Sequence, residues 1–324
     1  MLLRLSGRGH VKVVPFVLFL VMMWWVSVTS SARAAQRCVL VEEFTATWCQ
    51  YCPTVGTWVS QLQDLYPETL ALLQEHVSEY DVYAIQWGKD RFLSYGGGGI
   101  PVGWFDGVTR VGGITGGYDA YLNAYLARAA GPTDVTLELG GIPVEGPTYA
   151  FQARVGLEAG GTPKLVRLYV IRALDHYPLP TNVFDRNCLM EAAAFEDISL
   201  QPGQMRTIER TLTFDTTSWA QPENIRVLAW VQAPGSSGPR EVFQARQIAW
   251  PIQPLPSLYP LGDLNCDGEV NFADINPFVL ALGGYDGYHA DFPNCDMNLA
   301  DCNGDGTVDF GDINPFVDLL NGSL

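Results

Sequence analysis

Val39-Leu40-Val41-Glu42-Glu43-Phe44-Thr45-Ala46-Thr47-Trp48-Cys49-Gln50-Tyr51-Cys52-Pro53 is the stretch on which the fold turns. Val39 to Phe44 reads as a strand, and Val55, Val59, Leu62 and Leu65 then recur at helical spacing. Strand, C-x-x-C and helix in succession place Cys49 at a helix N-terminus. Free amides and the helix dipole favour a thiolate there. A low-pKa sulfur at Cys49 attacks, and Cys52, one turn on, resolves the mixed disulfide. The same spacing occurs as half of a zinc site. No second C-x-x-C or nearby His pair completes one in this chain.

Glu43 to Pro53 looks like a thioredoxin-fold active site. Glu43 lies six residues before Cys49, where thioredoxins keep a buried acid. The resemblance implies that this acid helps deprotonate the resolving Cys52. Gly99-Ile100-Pro101, followed by Phe105-Asp106-Gly107, resembles the family's cis-proline segment and the strand after it. It implies a cis Pro101 beside the disulfide, with Ile100 offering backbone hydrogen bonds to a substrate chain. Without the resemblance, Pro101 reads as a loop proline. Tyr118 to Arg128 is the implied closing helix. The inter-cysteine pair, Gln50-Tyr51, is neither Gly-Pro nor Pro-His, and this pair tunes the redox direction. Gly96 to Gly99 form a four-glycine loop ahead of Pro101, read as a flexible turn or a lip for substrate. Glu42-Glu43-Phe44 with Trp48-Cys49, and Arg240 to Ala245, resemble exported bacterial thioredoxin-like proteins related to an outer-membrane protein family, which carry a β-sandwich after the redox domain.

Outward from that centre the chain divides by composition. Arg4, Arg8 and Lys12 precede an apolar run from Val13 to Val28, and Ala32-Arg33-Ala34-Ala35 offers small residues for cleavage. Residues 1–35 therefore read as a signal peptide, with an uncleaved anchor as the alternative. Residues 36–130 form the expected thioredoxin-like α/β domain. Residues 131–250 alternate strands with turns, as in Asp134 to Leu139, Leu165 to Val170 and Ile225 to Val231, and read as an all-β sandwich. Pro251 to Pro260 reads as a proline-rich linker.

Residues 261–324 carry 12 Asp+Glu and no Lys or Arg, most of the net charge of -16. Asn271 to Val279 returns as Asp309 to Val317 after 38 residues. Ahead of each copy's apolar residues lies an acidic twelve-residue loop. In the first, Asp263, Asn265, Asp267, Asn271 and Asp274 offer side-chain oxygens, and Glu269 a carbonyl. In the second these are Asp301, Asn303, Asp305, Asp309 and Asp312, with Thr307 giving the carbonyl. Gly268 and Gly306 permit the sharp turn, so two calcium ions are expected. The other reading is an acidic disordered tail. Each loop precedes one helix, a pattern that resembles dockerin repeats, modules that dock enzymes onto cohesin-bearing scaffolds. The resemblance implies a small α calcium-loop domain and a cohesin-like or cell-surface protein partner. Position 12 is Asp rather than Glu, and Phe272-Ala273 and Phe310-Gly311 replace the polar pair that cohesin-binding dockerins often carry.

The acidic balance argues against nucleic acid as a partner. Beyond the C-x-x-C pair stand Cys38, Cys188, Cys266, Cys295 and Cys302. Cys266 with Cys295 is one pairing, with Cys302 in competition, and Cys38 with Cys188 is another. His76, His176 and His289 have no ligand-spaced companion. Two functions compete. One is an exported thiol–disulfide oxidoreductase, periplasmic, surface-held or released, acting on protein thiols or disulfides through Cys49, Cys52, Glu43 and Pro101. The other is a non-catalytic binding or scaffold protein with a structural C-x-x-C disulfide. A role as an accessory in polysaccharide breakdown rests on the dockerin resemblance alone.

Overall fold

In a computed structural model, residues 35–178, 184–235, 238–292 and 295–322 are described, so the signal-peptide reading falls almost wholly outside them. Strand β1 (Val39–Thr45) is buried along its whole length and runs parallel to β2 (Leu70–His76), also wholly buried. Each opens on an apolar run, Val39 to Val41 and Leu70 to Leu73, because both faces are covered. Helix α1 (Cys52–Leu65) joins them and lays Val55, Val59 and Leu62 onto Val39, Val41, Leu70 and Leu72. Gly56 permits this close approach: a Cβ there would stand 3.1 Å from Nε2 of Gln74 and 2.9 Å from the Phe184 carbonyl.

Helix α2 (Gln86–Ser94) brings Trp87 to the opposite face, against the core of Leu40, Ala71 and Leu73. Strand β3 (Val102–Phe105) pairs antiparallel with β1 and turns back into β4 (Thr109–Gly112). Helix α3 (Gly117–Ala129) then closes the α1 side with Tyr121, Ala124 and Tyr125. The order β2-β1-β3-β4, with its crossover helix, hairpin and closing helix, is thioredoxin-like.

The next residues form β5 (Val135–Glu145), β6 (Thr148–Leu157), β7 (Lys164–Leu174), β8 (Cys188–Ala192), β9 (Glu196–Leu200) and β10 (Met205–Thr213). After the short helix α4 (Thr216–Trp219) come β11 (Ile225–Gln232) and β12 (Val242–Ala249). They do not close into a separate sandwich. Among the described residues, β7, β8, β9, β11 and β12 join the thioredoxin-like strands in one nine-stranded mixed sheet. The junction is a single parallel pairing of Gln74 with Cys188. Asn187, fully buried beside it, donates its side-chain amide to Gln63, the Leu72 carbonyl and Gln247. Only β10, β6 and β5 form a second sheet, and Val135, Phe151, Val155 and Leu212 share one core with Val166, Leu168, Val227 and Val231. The core behind Leu40 is likewise shared with Leu228, Trp230 and Val242.

The proline-rich segment lies against β5: the Gln253 carbonyl accepts from the Gly141 amide at 2.9 Å, and the Pro256 carbonyl from Arg154 at 2.9 Å. In the acidic repeat, 3-10 turns at Phe272–Asp274 and Phe310–Asp312 lead into α5 (Ile275–Leu282) and, after α6 (Tyr285–Asp291), α7 (Ile313–Leu320). Asn271 and Asp309 cap the two turns in matching capping boxes. Pro277 and Pro315 stand in the first turn of their helices, where proline is tolerated. Phe278 and Phe316 stack face to face at 4.1 Å between ring centroids, joining the copies.

Candidate functional site

Beyond β1 the chain turns through Thr47 to Tyr51 into α1, whose first helical residue is Cys52, with Pro53 in the first turn. Proline fits there because the N–H it lacks is one the helix leaves unpaired. Cys49 therefore sits in the turn ahead of the helix rather than on it, its amide donating to the Ala46 carbonyl at 3.1 Å. Cys49 and Cys52 form a disulfide with their Cα atoms 5.4 Å apart. Both are buried, Cys49 at 7% and Cys52 at 3% exposure, while neighbouring Trp48 and Tyr51 stand 60% and 51% exposed. The Ile100–Pro101 peptide is cis, and Ile100 packs against Ala46, Cys49 and Cys52. Gly96, Gly97 and Gly98 approach it with φ of 95°, 61° and 107°, a run that other residues rarely adopt.

Glu43 is fully buried on the β1 face that meets α1, opposite Gln74 on β2 and Gly103 on β3. Its Oε2 accepts from Nε2 of Gln74 at 2.8 Å, and its Oε1 has no hydrogen-bond partner. Burial pushes its carboxyl up to about 8, against the opposing pull of the Gln74 hydrogen bond. Such a group is protonated at neutral pH and exchanges its proton just above it.

The turn that carries Cys49 is pinned from below. Nδ1 of His76, at the end of β2, lies 2.8 Å from Oδ2 of Asp81, and the same oxygen accepts from the Thr47 amide at 2.7 Å. Burial would raise the Asp81 carboxyl, but the His76 hydrogen bond and the Thr47 and Tyr83 amides bring it down to about 2. A depressed carboxyl stabilises the fold above its unfolded value of about 3.9, and that contribution is lost as pH falls towards 2. Asp81→Asn is expected to cost about 2 kcal/mol at pH 7. In urea unfolding the difference from the native chain should shrink below pH 4; a gap independent of pH would count against this pinning. Neither His76 nor Asp81 carries a motif spacing, and burial alone gives them a role.

The acidic loops share most of their hydrogen-bond pattern. Asp263 accepts from the Asp267 and Gly268 amides, and Asp301 from Gly304, Asp305 and Gly306. Asp274 accepts from Leu264, Asn265 and Asn271, and Asp312 from Asn303 and Asp309. Asn265 donates to Asp267, Asn303 to Asp305, and the Thr307 hydroxyl to Asp305. The Glu269 amide donates to Asp267. Among the described residues no group of three or more His, Cys, Asp or Glu side chains gathers as a metal cage. Yet Asp263, Asp274 and Asp312 are fully buried, and no ion pair involves them among the described residues. Each carboxylate has about four lone-pair sites, so lone pairs remain after these bonds, and an all-oxygen donor set suits a hard cation.

Cys266 and Cys295 are disulfide-bonded. Cys38 and Cys188 are not joined: both are buried free thiols, as is Cys302. Burial pushes Cys38 and Cys302 up to about 12 and raises Cys188 as well, so none is a reactive thiolate. No helix among the described residues is long and apolar enough to cross a membrane.

No family model and no curated protein matches the chain. Among solved structures it is similar to HBP35 of Porphyromonas gingivalis, at 16% identity over 69% of this chain and 79% of that one, with a TM-score of 0.57. An Agrobacterium tumefaciens protein matches at 18% identity over 66% and 96%, with a TM-score of 0.46. A domain of the outer membrane lipoprotein Omp28 of Porphyromonas gingivalis matches at 12% over 38% and 92%, with a TM-score of 0.28. The likeness to HBP35 is one of fold, a thioredoxin-like mixed α/β sheet, which in this chain carries the Cys49–Cys52 disulfide.

Proposed function

We propose that this chain is an exported thiol–disulfide oxidoreductase carrying a calcium-dependent docking module. The redox reading rests on one observation: a buried, half-satisfied Glu43 carboxyl on the strand that leads into the Cys49–Cys52 turn. In the dithiol form the Cys49 thiolate attacks a substrate disulfide, whose S–S bond breaks and releases one substrate thiolate. Glu43, in its ionised form, takes the proton of Cys52, and the Cys52 thiolate attacks Cys49 Sγ. The second substrate thiolate leaves, and the protein disulfide re-forms. Two electrons pass to the substrate; the reverse sequence oxidises a dithiol. Trp48 and Tyr51 offer apolar surface to the substrate chain, and Ile100 packs against both cysteines.

The test is the reduction potential of the Cys49–Cys52 pair in glutathione buffers, with the thiol pKa of reduced Cys49. A potential above about -300 mV and a thiol below its usual value of about 8.5 are expected. A more negative potential with an ordinary thiol would leave a structural disulfide on a scaffold protein. The shielding of both sulfurs, at 7% and 3% exposure, favours that second reading.

For calcium, Asp263, Asn265, Asp267, Asn271 and Asp274 with the Glu269 carbonyl would hold one ion. Asp301, Asn303, Asp305, Asp309 and Asp312 with the Thr307 carbonyl would hold the other. Each ion would neutralise carboxylates in a segment without Lys or Arg. Calcium at a hundredfold excess over its Kd is expected to stabilise the protein by about 3 kcal/mol for each site filled. A thermal melt unchanged between chelator and calcium would refute this. Phe272 and Ile275, and their repeats Phe310 and Ile313, remain exposed and support docking to a cohesin-like or cell-surface protein. Export to the periplasm, cell surface or medium is supported by the basic, apolar and small-residue N-terminus and by the two disulfides. Accessory work in polysaccharide breakdown has only the dockerin resemblance behind it.

A further inference from the structure

A pocket of about 280 Å³ opens on the α2 face of the sheet, away from the Glu43 face. Its walls are aromatic: Trp87, Tyr95, Tyr169 and Phe195. In a chain of net charge -16, three arginines line it against one acid, Asp90. Two of the three are already committed. Arg91 donates to both Glu42 oxygens and to Gln232, and its guanidinium lies over Trp87, Tyr95 and Tyr169 at 5.1 to 5.7 Å. Arg167 places its fork on Asp197 and lies 3.9 Å over the Phe195 ring.

Arg240 differs. Its side chain makes no hydrogen bond or ion pair among the described residues, while its carbonyl is anchored by Nε2 of Gln232 at 2.8 Å. Its guanidinium lies flat against Gly235, where a Cβ would stand 2.3 Å from Nε. A side chain at 235 would displace it, so the bare glycine sets where this guanidinium sits at the pocket mouth. The pocket thus joins a flat aromatic interior, near the lower size limit of ligand sites, to a single uncommitted fork of N–H donors.

We propose that this pocket binds a small aromatic carboxylate, with the ring among the aromatic walls and the carboxylate on Arg240. The committed Arg91 and Arg167, each neutralised by its carboxylate, brace the aromatic walls and leave the anion to Arg240. An inorganic anion lacks the ring that the walls would cover, and a neutral aromatic leaves Arg240 without a partner.

Calorimetric titration of the full chain with indole-3-acetate tests it, with indole and acetate as half-ligands. Indole-3-acetate is expected to bind with a Kd below about 1 mM, ordinary efficiency for its size. Arg240→Ala should weaken it at least about tenfold, and Gly235→Ala should weaken it too by displacing the guanidinium. Arg240→Lys should retain part of the affinity. Indole should bind weakly and equally to the native chain and to Arg240→Ala. Absence of binding at 10 times that concentration, acetate binding as tightly as indole-3-acetate, or an affinity indifferent to Arg240 would each overturn the proposal.

Discussion

A Cys49→Ser protein should reduce a model protein disulfide, with dithiothreitol as electron source, at least about a thousandfold more slowly than the native chain. Cys52→Ser should instead stall after the first step. Cys49 is the slightly more exposed residue of the pair, at 7% against 3%, and stands in the turn beside exposed Trp48. Cys52 is held in the first turn of α1 and reaches only its partner. Removing the entry sulfur leaves no nucleophile that a substrate can meet, since Cys38, Cys188 and Cys302 are buried thiols whose burial keeps them protonated. Removing the resolving sulfur leaves a mixed disulfide at Cys49 that mass spectrometry detects as substrate-sized added mass. Full activity in Cys49→Ser, or trapping through Cys52 instead, would exclude the assigned roles. The bridge closes only three residues of chain, so the fold should survive both changes.

Glu43→Gln should make the protein more stable and less active at once. Folding holds this carboxyl protonated up to about 8, whereas in the unfolded chain it ionises near 4.3. The folded state therefore binds more protons than the unfolded state between those values. Native stability must fall as pH rises through that window and level off above it. At pH 7 the cost is about 3 kcal/mol, and a neutral amide of the same shape avoids it. Urea unfolding should show Glu43→Gln equal to the native chain near pH 4 and ahead by that amount at pH 7. A proton acceptor is lost with the carboxyl, so exchange should slow about a hundredfold, and the limb of the pH–rate profile near 8 should vanish. An equal stability gap at both pH values would mean that the variant acts through packing rather than through the proton.

The centre of this molecule was legible because its chemistry is local. Strand, C-x-x-C and helix lie within thirty residues of sequence, and Glu43 and the Pro101 segment stand at family spacings. The twin loops were legible for a different reason: one copy tests the other. What could not be read was pairing across distance. Alternation announced that Leu165 to Val170 and Ile225 to Val231 are strands, but not that the sheet they build would adjoin β2. That junction depends on the single bridge at Gln74 and on Asn187, a residue with no pattern around it. The same gap explains the guess that Cys38 and Cys188 pair. Cys188 opens β8 and Cys38 stands just ahead of β1, each as a separate buried thiol. Arg91 was invisible because an arginine in a short helix ordinarily faces water, and only the aromatic surroundings and Glu42 reveal it as buried.

The sharing of the Leu40 core has a bearing on synthesis. Its near side, Leu40, Ala71 and Leu73, emerges first from the ribosome, while Leu228, Trp230, Val242 and Ala245 arrive well over a hundred residues later. Until then the redox half has only one of its two cores, and the backbone bond from Ala245 to the Cys38 carbonyl cannot form. In chain order, therefore, the residues that cover this apolar face all follow the segment that carries the cysteine pair. Its cysteine pair is already in place before the floor beneath β1 is complete. The floor beneath the site is thus supplied by the last strand of the sheet rather than by the segment that carries the cysteines.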